Sequence, residues 1–317
     1  MNFERLFLAV GDDGAMNIDT GSTMSAEEAT ELAEAVKISN IQSLNLCNYS
    51  VDDNGIVLLC DGLSKNESLT HLSLKRNNIG DIAAESLAYR VLRGNRTLVR
   101  LDLSFNQITD IGVLDLATSL EANHTLLELV LTYNNIGYMG AQYLSRALKH
   151  NNSLTELNLG YNVIDHHGCK YLMNALKVNS TLIGLNLSCN QIGDVGTKLL
   201  CSGLSKNQSL AELKIDLNHI GQTGAQHLSS MLKHNSRLAI LNLAGNRLGD
   251  KGAKWIAEGI KANTSLLSLT LADNNIGDMG AGYIASSLKI NRGLINLSLA
   301  SNNIADEGGR LFLKKKK

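Results

Sequence analysis

Residues 182–209 read LIGLNLSCNQIGDVGTKLLCSGLSKNQS, and the frame of this stretch recurs along the chain. Its first nine positions follow L-x-x-L-x-L-x-x-N. The frame opens at Ile41, Leu69, Leu98, Leu126, Leu154, Leu182, Leu210, Leu238, Leu266 and Leu294. Each step is 28 residues, except for one of 29 between Leu69 and Leu98. A fixed period of this length predicts a stack of identical supersecondary units rather than independent globular domains.

Within the quoted unit, Leu185 and Leu187 alternate with polar residues, which predicts a short strand with one buried face. Position 9 is Asn in repeats two to ten, from Asn77 to Asn302. An amide side chain both donates and accepts, so stacked Asn residues are expected to satisfy the backbone where each strand ends. Repeat one has Tyr49 there, so this ladder should start one turn late. Position 15 is Gly in every repeat but the second, which has Ala83. A helix should follow, with apolar residues at offsets of three and four, such as Ala281, Ile284 and Leu288. Asn at position 26, as in Asn207 and Asn263, is expected to be a left-handed helix C-cap. The extra residue of repeat two falls within LAYRVLRGN, where a bulge in the helix would absorb it.

The fold class expected is α/β, a solenoid of parallel strands and helices. Strands sit about 4.8 Å apart, whereas packed helices need about 8–10 Å. The stack should therefore curve into a horseshoe, with strands on the concave side and helices on the convex side. The expected organisation is a single domain, 1–317. Residues 1–40 form an N-terminal cap with a degenerate turn, in which Met16 and Ile18 match the strand positions and AEEATELAEAVKISN supplies a helix. Ten repeats fill 41–309, and 310–317 form a C-terminal end with a lysine run.

Composition narrows the function classes. Net charge is −1, which offers no electrostatic case for nucleic acid. Pro is absent, so turns rely on Gly, Asn and Asp. The five cysteines show no paired spacing, which points to a reducing, cytoplasmic setting. The opening MNFERLFLAV carries Glu4 and is too short and acidic for a secretory signal, and no run approaches a membrane span. The Asn-x-Ser/Thr triplets at Asn66, Asn123 and Asn179 share one repeat position, so structure explains them better than glycosylation.

Residues 41–309 resemble the ribonuclease-inhibitor-type leucine-rich repeats. That resemblance implies a solenoid that binds protein or ligand on a curved surface. Relatives of this type include enzyme inhibitors, the arrays of NOD-like receptors, a Ran GTPase activator and bacterial pathogen effectors. It implies a non-enzymatic binding protein, with a cytoplasmic or, for an effector, host-cytosolic location. The alternative is a GTPase-activating protein of the Ran-activator type, although that relative typically ends in an acidic tail and this chain ends in Lys314–Lys317. The expected partner is another protein, an enzyme in the inhibitor case, and the unbound chain is expected to be a monomer without cofactor.

The variable positions then carry the specificity. Positions 3, 5, 7 and 8 are expected to face the concave surface. Position 8 reads Asn48, Arg76, Phe105, Tyr133, Tyr161, Cys189, Leu217, Gly245, Asp273, Ser301. Three consecutive aromatics stand out in a chain with eight Tyr, four Phe and one Trp. Position 3 adds Arg100, Glu128, Glu156 and Glu212, and position 7 adds Lys75 and Asp216. Position 13 is Asp in seven repeats, expected to cap the coming helix, and departs from Asp at Tyr138, His166 and Gln222. A local rule broken without evident gain marks a functional candidate. The predicted partner-binding residues are Arg76, Arg100, Phe105, Glu128, Tyr133, Tyr138, Glu156, Tyr161, His166, Asp216 and Leu217. The competing reading is that the aromatics only stack on one another to stiffen the strand edge. Repeats eight to ten offer a blander face, with Ala244, Ala272, Ala300, Thr270 and Ser298.

Catalytic and metal signals are weak. His166, His167 and Cys169 invite a zinc reading, but zinc needs three or four ligands and Cys169 falls at a buried helix position, so no metal site is expected. No Walker-type phosphate loop is present. Cys189 has no histidine at a predictable distance to make it a nucleophile.

Overall fold

The computed structural model describes residues 15–17 and 24–313. The expected cap residues 1–12, Ile18 and the Lys314–Lys317 run lie outside the described residues. Two compact units emerge, Met1–Asn162 and Val163–Lys317. The first contains strands β1 (Ala15–Asn17), β2 (Ser43–Asn45), β3 (His71–Ser73), β4 (Arg100–Asp102), β5 (Glu128–Val130) and β6 (Glu156–Asn158). They alternate with helices α1 (Ala26–Ile38), α2 (Asp53–Leu63), α3 (Asp81–Ser86), α4 (Asp110–Leu120) and α5 (Tyr138–Leu148). The second begins with α6 (His166–Leu176) and β7 (Gly184–Asn186), then α7 (Gly193–Leu204) and β8 (Glu212–Lys214). It continues through α8 (Gln222–Leu232), β9 (Ile240–Asn242), α9 (Gly249–Ala262), β10 (Ser268–Thr270), α10 (Asp278–Leu288), β11 (Asn296–Ser298) and α11 (Asp306–Leu313).

Each unit is a leucine-rich-repeat solenoid segment. Its strands pair in parallel, in chain order, with equivalent repeat positions in register. Strands cover only positions 3–5, so positions 7 and 8 lie in the turn beyond the strand rather than on its face. Leucines such as Leu129, Leu131, Leu241 and Leu243 are fully buried at positions 4 and 6. Each contributes about 1.5–3 kcal/mol on burial. In repeat ten Leu297 and Leu299 are only half-buried.

The position-9 asparagines form the expected ladder. Asn134 Nδ2 donates to the Leu103 carbonyl of the preceding repeat at 3.0 Å and to its own Leu131 carbonyl at 3.1 Å. Its Oδ1 accepts the Ile108 N–H at 3.0 Å. Tyr49, at the first rung, is buried and its N–H donates to Asn77 Oδ1 at 3.1 Å.

Position 26 differs from expectation. Its asparagines are not left-handed; Asn263 closes α9 at φ −80°, ψ 141°. They form a second ladder instead. Asn151 Nδ2 donates to the Leu120 and Asn123 carbonyls at 2.8 and 2.9 Å, and its Oδ1 accepts from the Ser153 and Leu154 N–H groups. The reason is stacking: the previous repeat presents unsatisfied helix-end carbonyls at this height, and a buried amide pairs with them. Asn66, Asn123 and Asn179 are buried rungs of this ladder, which accounts for the glycosylation-like triplets.

Position 13 also works differently. Its Asp lies in the first turn of its own helix, and its carboxylate caps the helix of the following repeat. Asp194 Oδ1 accepts from Gly221 and Gly224 at 2.7 and 2.9 Å, and Asp250 Oδ1 from Gly277 and Gly280 at 2.7 and 2.9 Å. Repeats that follow a missing Asp differ at their own position 12. Repeat five, after Tyr138, uses Asp165, which accepts from the His167 and Gly168 N–H groups at 2.9 and 3.2 Å. Repeats six and eight, after His166 and Gln222, place Gly193 and Gly249 there at φ +59° and +58°. These N–H groups donate to Asn218 and Asn274 carbonyls, both at 2.9 Å. Repeat five thus replaces the missing Asp with its own cap, while α7 and α9 start at these glycines with no side-chain cap.

The extra residue of repeat two is absorbed as expected, by a π-helical stretch at Leu87–Leu92 that continues α3. Among the described residues, no helix is long and apolar enough to cross a membrane.

Candidate functional site

After each strand the chain must turn toward its helix, and it does so at position 8 with a left-handed residue. All ten repeats share this backbone, with φ between 51° and 63° from Asn48 to Ser301. A left-handed conformation costs a non-glycine residue about 1–2 kcal/mol. Asn48, Gly245 and Asp273 are residue types that tolerate it. Phe105 (φ 57°), Tyr133 (φ 55°) and Tyr161 (φ 56°) are not.

These three rings form a column in the first unit. Phe105 stacks on Tyr133 with centroids 4.3 Å apart, and Tyr133 on Tyr161 at 4.2 Å, each pair 13° from parallel. The Arg76 guanidinium lies 5.0 Å and the Lys75 ammonium 5.3 Å from the Phe105 centroid, so cations cover one end of the column. Stacking recovers about 0.5–1.5 kcal/mol per aromatic pair. Even so, Tyr133 remains 44% and Tyr161 37% exposed. The column thus has both properties weighed above: it stiffens the turn and still offers aromatic surface to solvent.

Beside it, position 3 carries charge. Arg100 and Glu128 are register partners on β4 and β5 and form an ion pair, with Asp102 3.9 Å from the same guanidinium. Glu156 is the register partner of Glu128 on β6, so two carboxylates occupy neighbouring strands. A recess of about 260 Å³ opens over β2–β4, lined by Ser43, Asn45, His71, Ser73, Arg100 and Asp102. Of these, only Arg100 is among the predicted site residues. The polar residues at positions 3 and 5 of repeats one and two were the available signal.

The remaining predicted residues fall elsewhere. Tyr138 is the first residue of α5 and is 47% exposed. The second unit holds His166, Asp216 and Leu217. Asp216 is tied into the turns, accepting from Ser188 Oγ at 2.5 Å and Asn242 Nδ2 at 2.8 Å. Leu217 leans over Gly245, where a Cβ would come within 2.4 Å of its Cδ2. His166 is exposed at the start of α6, its ring 4.0 Å from that of His167. Burial raises the Asp165 carboxyl, but hydrogen bonds from His167 and from the Gly168 and His167 backbone outweigh it and hold the group below the ordinary carboxylate range.

Nucleophilic chemistry finds little footing on the buried thiols. Burial pushes Cys60 and Cys169 up to about 12, and Cys201 upward as well. Arg90 opposes the shift at Cys60, while Asp61 there and Asp165 at Cys169 reinforce it. Cys169 is therefore a core residue and not a partner of the two histidines.

A family model described as Leucine Rich repeat matches residues 65–88, 94–117, 122–145, 150–173, 178–201, 206–229, 234–257, 262–285 and 291–313. The chain is similar to human NACHT, LRR and PYD domains-containing protein 12, with 35% identity over 100 residues, 31% of this chain and 9% of that protein. It is also similar to human NACHT, LRR and PYD domains-containing protein 13, at 30% over 103 residues, 32% of this chain and 10% of that protein. The chain thus spans about a tenth of the length of the curated relatives it matches. Among solved structures, an internalin from Listeria monocytogenes aligns with a TM-score of 0.40 and 20% identity, covering 83% of this chain and 81% of that one.

Proposed function

We propose that this chain, which belongs to the leucine-rich-repeat family, is a non-catalytic module that binds a partner protein through the turns that follow its strands. The observation that carries this reading is the Phe105–Tyr133–Tyr161 column. Three bulky aromatics occupy a backbone conformation that favours Gly or Asn, and two of them stay substantially exposed. Aromatic and Arg side chains dominate interface energetics, and Arg76 closes one end of the column. Arg100, Glu128 and Glu156 supply a charged flank that sets orientation rather than affinity. Asp216, Leu217, His166 and Tyr138 are assigned a lesser role in this surface, because the first two serve internal contacts and the last two stand at helix starts rather than in the turns that follow the strands. All five cysteines are free thiols, which supports a cytoplasmic setting.

The test is affinity capture with the full chain, followed by titration of whatever protein is captured. A Tyr133→Asn/Tyr161→Asn variant keeps a residue type suited to left-handed backbone. It is expected to weaken binding by about 2–4 kcal/mol. An Ala272→Asp/Ser298→Asp variant on the bland repeats is expected to bind as the unmodified chain does. Equal loss in both variants would remove the case for the column.

A further inference from the structure

We propose that Asp165, His166 and His167 form a surface site for a first-row divalent transition-metal ion, with Zn²⁺ as the reference case. One ligand atom from each residue lies within 4.8 Å of the other two. The His167 Nδ1 is 2.9 Å from Asp165 Oδ2, and the two imidazole rings are 4.0 Å apart, tilted by 38°. Cys169 is buried and is not available as a third ligand. The third ligand is on the other side of the histidine pair.

Neither imidazole is part of the buried core. The α6 N-terminus is capped by Asp165 Oδ1, which accepts both backbone N–H groups and leaves Oδ2 turned toward His167. The buried face of α6 is built from Gly168, Cys169, Leu172, Ala175 and Leu176, while both histidines are exposed. His166 departs from the repeat, since position 13 is usually Asp; position 14, where His167 stands, is variable, with apolar residues at Ile82, Ile111, Met139, Val195 and Met279 and polar ones at Asn54, Thr223, Lys251 and Glu307.

Two imidazoles and a carboxylate suit zinc, nickel or copper, whereas calcium and magnesium prefer all-oxygen sites. Metal–ligand bonds of about 2.0–2.2 Å require the three atoms to close somewhat. Side-chain rotation of two exposed rings supplies that movement without disturbing the backbone. Three protein ligands leave a coordination position for water. The positive end of the α6 dipole opposes a cation here, and the Asp165 carboxylate offsets it, so the site is an open one of modest affinity.

The experiment is calorimetric titration of the full chain with ZnCl₂. One Zn²⁺ per chain is expected, and Mg²⁺ should give no binding heat. His166→Ala and His167→Ala are each expected to weaken Zn²⁺ binding at least tenfold. Asp165→Ser keeps a side-chain oxygen able to cap α6 and should weaken binding while leaving the thermal melt nearly unchanged. With Cu²⁺, paramagnetic resonance should show coupling to two imidazole nitrogens. Zn²⁺ binding that survives the double histidine variant, or that is unaffected by Asp165→Ser, would overturn the site.

Discussion

The Asp81 carboxylate accepts the backbone N–H of Gly112 at 3.0 Å, across a separation of 31 residues. The same Oδ1 accepts the Thr109 N–H at 2.8 Å, and Oδ2 accepts the Thr109 hydroxyl at 2.6 Å. Each such Asp lies in the first turn of one helix and closes the start of the next, so neighbouring repeats are coupled by a charge-assisted bond as well as by packing. The contact also explains the glycine. A Cβ on Gly112 would lie 2.7 Å from Asp81 Oδ1 and 2.8 Å from Ala84 Cβ.

Removing an interior member should therefore destabilise the repeat after it. Asp194→Ala is expected to cost about 1–2 kcal/mol, the range for lost N-caps. Asp306→Ala, at an exposed position in the last repeat, should cost less than about 0.5 kcal/mol. Gly112→Ala should cost about 1–3 kcal/mol through overpacking. Equilibrium denaturation of the three variants measures all of this. Equal effects of Asp194→Ala and Asp306→Ala would mean that each Asp caps its own helix after all.

Much of this architecture was legible because a period repeats its evidence ten times. Leu185 and Leu187 as strand positions, Asn134 as a rung and the bulge near Leu87 all follow from comparing one repeat with another. The direction of the Asp194 cap was not legible. An Asp at position 13 stands at the start of its own helix and also one period before the next, and only the stacking register separates the two. The position-26 asparagines, Asn207 and Asn263 among them, are ambiguous for a similar reason, since helix-end chemistry and inter-repeat chemistry favour the same residue. For the site, the run of Phe105, Tyr133 and Tyr161 is plain in the sequence. Its left-handed backbone is not, because three bulky aromatics hide the glycine-like conformation that Gly245 and Asn48 hint at.

The position-9 ladder makes a stability contrast. Asn162 Nδ2 donates to the Leu131, Leu159 and Gly160 carbonyls at 3.0, 3.1 and 3.2 Å. Asn302 makes an equivalent set, to Leu271, Leu299 and Ala300 at 2.9, 2.9 and 3.2 Å. The difference is water access: Asn162 is buried and Asn302 is half-exposed. Asn162→Ala should cost about 1–3 kcal/mol, the penalty for stranding buried backbone groups. Asn302→Ala should cost clearly less in the same denaturation experiment, because solvent replaces the lost partner. Equal costs would mean that repeat ten is covered in solution, by another segment or a second copy.

The buried thiols predict an alkaline limit to stability. Cys60 and Cys169 have ordinary values of 9.0 and are raised to about 12 in the fold, first by burial. A group with a raised folded value contributes stability that is complete below its unfolded value and lost as pH climbs toward the folded one. The window runs from about 9 to about 12 for these two residues. Between pH 7 and pH 10, each thiol should cost about 1.4 kcal/mol of folding free energy. Replacing Cys60 or Cys169 by Ala should shrink the measured drop by that amount per residue. A drop that is the same in the variants would show that these thiols do not titrate on unfolding.

The aromatic column gives the sharpest separation of strain from function. Tyr133→Ala removes both stacking partners' contacts while leaving a side chain at φ 55°. Tyr133→Gly removes the same contacts and relieves the backbone, which is worth about 1–2 kcal/mol. The stacking lost is about 0.5–1.5 kcal/mol per pair, so the Gly variant should stay within about 1 kcal/mol of the unmodified chain. The Ala variant should be less stable than the Gly variant by roughly the strain term. The reverse change, Gly245→Ala, should be destabilising, because it adds a Cβ at φ 62° and 2.4 Å from Leu217 Cδ2. Denaturation curves for the three variants decide the point. Equal stability of Tyr133→Ala and Tyr133→Gly would mean that the turn carries no strain. A Gly variant as stable as the unmodified chain would mean that the fold alone does not require tyrosine at position 133, so its presence there must be explained by what the exposed ring contacts.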